Sequence, residues 1–258
     1  MTFSEIKYER VDLEARKEKA EALIRRLRGA SGFDELEQVI LEDRELDAQG
    51  LMTMRTVAQI RRDIDTRDAF YEDEVRFYNR ELPKYQYLSQ EWTAALLESP
   101  FREQLEEKYG GVPLLNAEIR KRTFKPELVE DLQRENELVS QYTKLIASAQ
   151  IEFDGKTLTL SQMAPYKLST DDDVRRAAWR AEGAWFKKNG RELDRIYDEL
   201  VTLRDGMGRK LGHKGFTQLG YDRMQRNCYT EKDVEQFRVA VQNDIVPLCK
   251  RIYMEQAK

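Results

Sequence analysis

The chain has 258 residues, 40% of them hydrophobic and 36% charged, with 44 Lys and Arg against 48 Asp and Glu for a net charge of −4. That length permits one large domain or two smaller ones with room for a core, and the interleaving of both charge signs argues for solvated helix faces and against a basic tract for nucleic acid. Two cysteines, Cys228 and Cys249, are too few for a disulfide scaffold, the start MTFSEIKYER lacks an apolar signal core, and no run approaches the roughly 20 apolar residues of a membrane span, so a reduced, cytoplasmic protein with no membrane partner is expected.

Helical periodicity dominates in chain order. Leu13, Ala20, Leu23, Ile24 and Leu27 recur at three- and four-residue steps, with Gly29 as a stop; Leu36, Val39, Ile40 and Leu46 mark a second helix after Ser31-Gly32. Met54, Val57, Ile60 and Ile64 begin a third, which runs into an aromatic segment from Phe70 to Trp92 that Pro83 interrupts near Leu82. Such an aromatic stripe is read as core ahead of a peptide-binding groove, because aromatic side chains bury large areas. Ser99-Pro100 reads as a helix start. Gly110-Gly111 ends that helix, and the GGVP stretch is read as a linker and a domain boundary. The expected division is an N-terminal helical domain, residues 1–111, and a second lobe, residues 112–258.

The second block opens near Pro126, with Leu128, Val129, Leu132, Val139, Tyr142, Leu145 and Ile146 on one face. IEFDGKTLTL, residues 151–160, then switches to two short alternating runs around Asp154-Gly155, a strong hairpin signal because both turn positions need positive φ. Thr170 and Asp173 resemble a capping pair for a helix over about 171–188, broken by Asn189-Gly190. The next helix carries Leu193 to Leu211, with Gly206 and Gly208 inside it, which implies close backbone packing at both. Gly212 is its C′ residue. Thr230 and Asp233 open a last helix with Val234, Phe237, Val241, Ile245, Leu248 and Ile252 on one face and a kink at Pro247. The chain stops at MEQAK with no Gly, Pro or cap there, which fits either a helix that frays harmlessly at a terminus or a chain that has been cut short. The fold class is mostly α: a helical array of two lobes with one small β-hairpin.

One histidine, His213, limits the chemistry. An HExxH zinc site needs two imidazoles one helical turn apart, so no metal ligand set and no catalytic residue is assigned. There is no GxSxG elbow, Walker loop or GxGxxG. Asp171-Asp172-Asp173 reads as negative charge in a helix's first turn, and Glu72-Asp73-Glu74 as part of a solvated face.

The strings IEFDGKTLTLSQMAPY, DVRRAAWRAEGAWFKKNGRELDRIYDELVTLRDGMGRKLG and FTQLGYDRMQRNCYTEKDVEQFRVAV resemble the middle of the oligoendopeptidase F-like zinc metallopeptidases, of the thimet oligopeptidase family. Arg175, Arg176, Ala177, Leu211, Gly212, Tyr221, Val234 and Phe237 stand at comparable places. The resemblance implies a helical two-lobed shell around a channel, hydrolysis of short peptides, and a zinc held by HExxH plus a downstream Glu. None of those ligands is present, so this chain is expected to bind no zinc, to correspond to the N-terminal half of such an enzyme, to need the missing C-terminal half, and to be inactive alone. His213 and Tyr221 are the candidate substrate-channel residues. Exposed apolar surface on the hairpin and the last helix is expected, with self-association as one consequence. The alternative is a non-catalytic helical scaffold or protein-interaction module.

Overall fold

The computed structural model describes residues 2–48 and 50–256, with Asp47 and Ala48 as backbone only. Helices α1 (Leu13–Gly29), α2 (Phe33–Ala48), α3 (Leu51–Ile64), α4 (Ala69–Glu81), α5 (Gln86–Leu97), α6 (Arg102–Tyr109) and α7 (Gly111–Lys121) follow one another with short breaks. The apolar stripes read from the sequence meet in one N-terminal core, where Leu23, Leu27, Leu36, Val39, Leu46, Ala95, Leu105 and Leu114 are buried together. A second cluster, Ala58, Val75 and Tyr78, joins α3 to α4. Of the aromatic segment, Tyr78 is buried as expected of core, whereas Phe70 is more than half exposed.

Local chemistry sets the breaks. α3 does not run unbroken into the aromatic segment: the Asp68 carboxylate accepts from the Phe70 and Tyr71 amides and starts a new helix. Pro83 sits in a 3₁₀ turn over Leu82–Tyr85, where the sequence placed the interruption. Ser99 Oγ accepts from Phe101 N (3.2 Å), and α6 starts at Arg102. GGVP is not a linker. Gly110, at φ 82°, is the whole break, and Gly111, Val112 and Pro113 form the first turn of α7, where proline's missing N–H has no helical acceptor to lose.

The second half contains α8 (Val129–Ala147), strands β1 (Ile151–Phe153) and β2 (Lys156–Leu158), α9 (Ala164–Lys167), α10 (Asp172–Lys210), α11 (Phe216–Arg223), α12 (Glu231–Ala240) and α13 (Val246–Gln256). The strands pair antiparallel with Ile151 opposite Leu158, and Asp154 and Gly155 both take positive φ (52° and 68°), as the Asp-Gly turn requires. Ile151 and Leu158 bury against Met163 and Ala178, so the hairpin lies on α10.

Two expectations for α10 fail. Its cap is Asp171, whose carboxylate accepts from the Asp173 and Val174 amides, rather than a Thr170–Asp173 pair. It also continues through Asn189-Gly190 as a single 39-residue helix, about 58 Å long at 1.5 Å per residue. Asn189 satisfies its side chain inside the helix by donating to the Trp185 carbonyl (2.9 Å). Arg195 braces the next turns by donating to Glu192 (2.9 Å from Nε) and to Glu199. An interior glycine weakens a helix by about 1 kcal/mol, less than the packing of α10 on the hairpin at one end and on α8 and α11 at the other. A turn of π-helix over Val241–Ile245 joins α12 to α13 two residues ahead of Pro247, a non-α turn next to the residue expected to disturb the helix. Thr230 and Asp233 form the expected capping box.

Candidate functional site

The candidate residues fall where α8, α10 and α11 meet. Glu135 of α8 is buried. It accepts from Arg204 Nε of α10 (2.6 Å) and, through both oxygens, from Arg223 Nη1 of α11 (3.0 and 3.0 Å). The Phe216 ring carries both guanidinium groups on its face, 5.6 and 5.9 Å from its centroid. Below this charged layer, Leu128, Met207 and Leu219 are fully buried. The sequence reading missed the Arg-Glu-Arg cluster, although one signal was present. Glu135 occupies an apolar-stripe position, between Leu132 and Leu138/Val139, where a carboxylate is tolerated only when paired.

The loop between α10 and α11 is held by backbone contact. Gly212 takes φ 91° and His213 N donates to the Gly208 carbonyl (3.0 Å), closing the helix with a left-handed residue. A Cβ built on Gly208 would run into the Gly215 carbonyl, which makes glycine obligatory there. At Gly206 the same test meets nothing within 4 Å, so the expected close packing holds at one of the two positions.

His213 is half-buried in this loop, and its Nε2 is shut off from solvent without a hydrogen-bond partner. Tyr221 lies on α11, on a different contact set: the Arg226 guanidinium sits over its ring at 4.5 Å and over Tyr229 at 5.3 Å, and Arg226 N donates to the Tyr221 carbonyl (3.2 Å). No hydrogen bond or ring contact joins His213 to Tyr221 among the described residues. Next to Tyr221, Asp222 is buried and accepts from Gln218 Nε2 (3.0 Å) and Arg122 Nη2 (3.5 Å), tying α11 to the end of α7.

Glu74, expected on a solvated face, is instead only 2% exposed. Tyr8 and Arg10, from the extended segment before α1, both donate to it, Arg10 Nε at 3.0 and 3.1 Å. The Arg10 hydrogen bond is the main reason its carboxyl titrates below the ordinary glutamate range, and burial together with its own hydrogen bond to Glu74 drives the Tyr8 phenol well above the ordinary tyrosine range. The cluster at Asp171 to Asp173 does lie in a helix's opening turn.

The second half exposes many large apolar side chains. Tyr197 on α10 and Phe237 on α12 are each 68% exposed, and Tyr253 and Met254 on α13 are similarly open. A groove of about 410 Å³ between α8 and α10 is lined by Tyr142, Ile146, Phe186, Leu193, Tyr197 and Leu200. Monomeric proteins rarely leave such patches uncovered.

A model of the peptidase M3 N-terminal domain matches residues 3–124. A PZ peptidase A solved with an inhibitor is 38% identical over 99% of this chain, with a TM-score of 0.94. A protein designated oligoendopeptidase F from Bacillus anthracis str. Ames is 39% identical over 99% of the chain, with the same TM-score. The chain belongs to the oligoendopeptidase F-like M3 peptidases. It corresponds to their N-terminal portion and covers 45% of the first structure and 47% of the second. A search of curated protein sequences gave no significant match.

Within this oligoendopeptidase F-like portion, the described residues do not fit a catalytic zinc. No group of three His, Cys, Asp or Glu side chains is placed to hold a metal ion, and one histidine cannot supply the two-imidazole half of a zincin site. No described helix is long and apolar enough to cross a membrane. In the Arg-Glu-Arg cluster both Glu135 oxygens accept from arginine, so the cluster ties α11 to α8 and offers no free carboxylate as a base.

Proposed function

We propose that this chain is the N-terminal half of a zinc-dependent oligoendopeptidase that hydrolyses short peptides, that it supplies part of the wall of the substrate channel, and that it has no activity alone. The observation that carries this reading is the 38–39% identity maintained over 99% of the chain with structures of which it spans less than half, together with the open apolar faces of α10, α12 and α13. Zinc and its general base would come from the C-terminal half, in keeping with the absence of a fitting donor set among the described residues. His213 would reach the channel through the α10–α11 loop and Tyr221 through α11, with Arg226 and Tyr229 beside Tyr221.

The same reading divides the chain into two lobes, residues 1–111 and 112–258, with α7 as the shared element. Leu114 of α7 packs in the N-terminal core, while Asn116 accepts from Asn227 (2.7 Å) and Arg122 reaches Asp222.

The test is complementation. The purified chain is assayed on a quenched peptide alone and after mixing with the C-terminal segment of an oligoendopeptidase F carrying HExxH. Cleavage only in the mixture, abolished by a chelator, is expected. Chelator-sensitive cleavage by the chain alone overturns the inactive half, and a stoichiometric complex without cleavage turns the reading to the scaffold alternative.

A further inference from the structure

Arg226, in the turn after α11, differs from the other described cations that lie over aromatic rings. Its guanidinium sits 4.5 Å from the Tyr221 ring centroid and 5.3 Å from that of Tyr229. The guanidinium groups of Arg10, Arg61, Arg204 and Arg223 also lie over rings, and each donates to an oxygen as well. The lysines placed over rings, Lys108, Lys156 and Lys167, do the same. The Arg226 side chain has no ion pair and no hydrogen bond among the described residues. It is half-buried, and none of its nitrogens is sealed from solvent.

The turn holds this side chain in place. Gln225 takes φ 51°, a left-handed conformation that non-glycine residues rarely hold, and the Arg226 amide donates back to the Tyr221 carbonyl (3.2 Å). One residue on, Asn227 Nδ2 donates to Asn116 Oδ1 of α7 (2.7 Å). The carboxylate next to Tyr221, Asp222, is buried and already accepts from Gln218 and Arg122. Glu231, in the first turn of α12, makes no ion pair with Arg226. The guanidinium is thus positioned by two rings and left without an anion of its own.

We infer that Arg226 recognises a carboxylate of a bound peptide, with Tyr221 and Tyr229 holding its guanidinium ready. Aromatic rings take the faces of the planar group, and its in-plane N–H fork stays free to match a carboxylate bidentately. Because the side chain is already confined, little rotamer freedom is left to lose on binding. The tyrosine rings also offer apolar contact to the neighbouring part of the ligand. Two sources share this chemistry: the free C-terminus of the peptide and an Asp or Glu side chain within it. That the peptide is a substrate rests on the oligoendopeptidase reading; the binding of a carboxylate at Arg226 does not.

The experiment follows the Arg226 Nε–H signal of the chain by heteronuclear NMR, assigned by its loss in R226Q. The titrants are N-acetyl-triglycine, its C-terminal amide and N-acetyl-aspartyl-diglycine amide. A saturable shift is expected with at least one of the two acids, at an affinity about fivefold above that of the neutral amide. Preference for the terminal acid identifies a chain end, and preference for the aspartyl peptide identifies an acidic side chain. No shift, or equal affinity for all three, overturns the site. R226K keeps the charge but loses the fork and the stacking, so most of the preference should vanish, and full retention overturns bidentate recognition. In the mixture with the C-terminal segment of an oligoendopeptidase F, R226Q should lower kcat/KM about fivefold for quenched peptides with the preferred carboxylate and leave their neutral counterparts unchanged. An equal loss on all peptides, or loss of the complex, makes Arg226 a contact between the two halves and overturns the proposal. If the mixture cleaves nothing while the NMR preference persists, the peptidase reading fails and the carboxylate site stands.

Discussion

Gly208 of α10 lies directly against the backbone of Gly215, so closely that a Cβ on Gly208 would overlap the Gly215 carbonyl and come within 3.0 Å of Phe216 N. Helix α10 and the entry to α11 thus touch through bare backbone, and the His213 loop is shaped by that contact. G208A should destabilise the protein by about 2 kcal/mol, the usual penalty for overpacking, and disturb the loop. G206A, with open space around it, should gain up to about 1 kcal/mol from helix propensity. Urea unfolding of the two variants beside the parent reads both signs.

The Glu135 cluster makes a second contrast. E135A leaves Arg204 and Arg223 without their shared carboxylate in a mostly buried layer, and about 3 kcal/mol of stability should be lost. Because Arg223 is the link from α11 to α8, amide exchange in residues 216–223 should accelerate more than in α1. Uniform acceleration across the chain would show that the cluster does not hold α11 specifically.

Acid sensitivity should trace in part to Glu74. Its folded-state pKa is depressed, mainly by Arg10, so it adds stability at pH values above the unfolded glutamate value of about 4.3. That contribution disappears as pH falls through the folded value. E74Q should therefore be less stable than the parent by about 2 kcal/mol at neutral pH, and the difference should shrink below about pH 4. A gap that stays constant down to pH 3 would place the acid sensitivity elsewhere.

The open apolar faces predict a surface phenotype. Y197S and F237S change side chains that are 68% exposed, so stability should move by less than about 0.5 kcal/mol. Dye binding and concentration-dependent association should both fall. If light scattering and dye fluorescence match the parent, these faces are not what the chain uses to associate.

Much of this was legible from local pattern. The apolar periods at Leu23/Leu27 and Leu36/Val39 became the N-terminal core, and Asp154-Gly155 became the hairpin turn. The capping box at Thr230 formed as written, because a cap is satisfied within four residues. Two break signals failed for one cause. Asn189-Gly190 and GGVP are local break signals, and both lost to packing: α10 is held by the hairpin and α8 on either side of its glycine, and α7 by the burial of Leu114.

The sequence by itself determined that these residues are mostly helical, that one hairpin interrupts them, and that a single imidazole cannot build a zincin site. Those are matters of periodicity, turn chemistry and counting. Only the tertiary structure decided that Glu74 is buried beneath Arg10 and that Glu135 joins Arg204 to Arg223. Each of these joins groups on different elements, and charge partners brought together from 64 to 88 positions apart leave no mark on local sequence pattern.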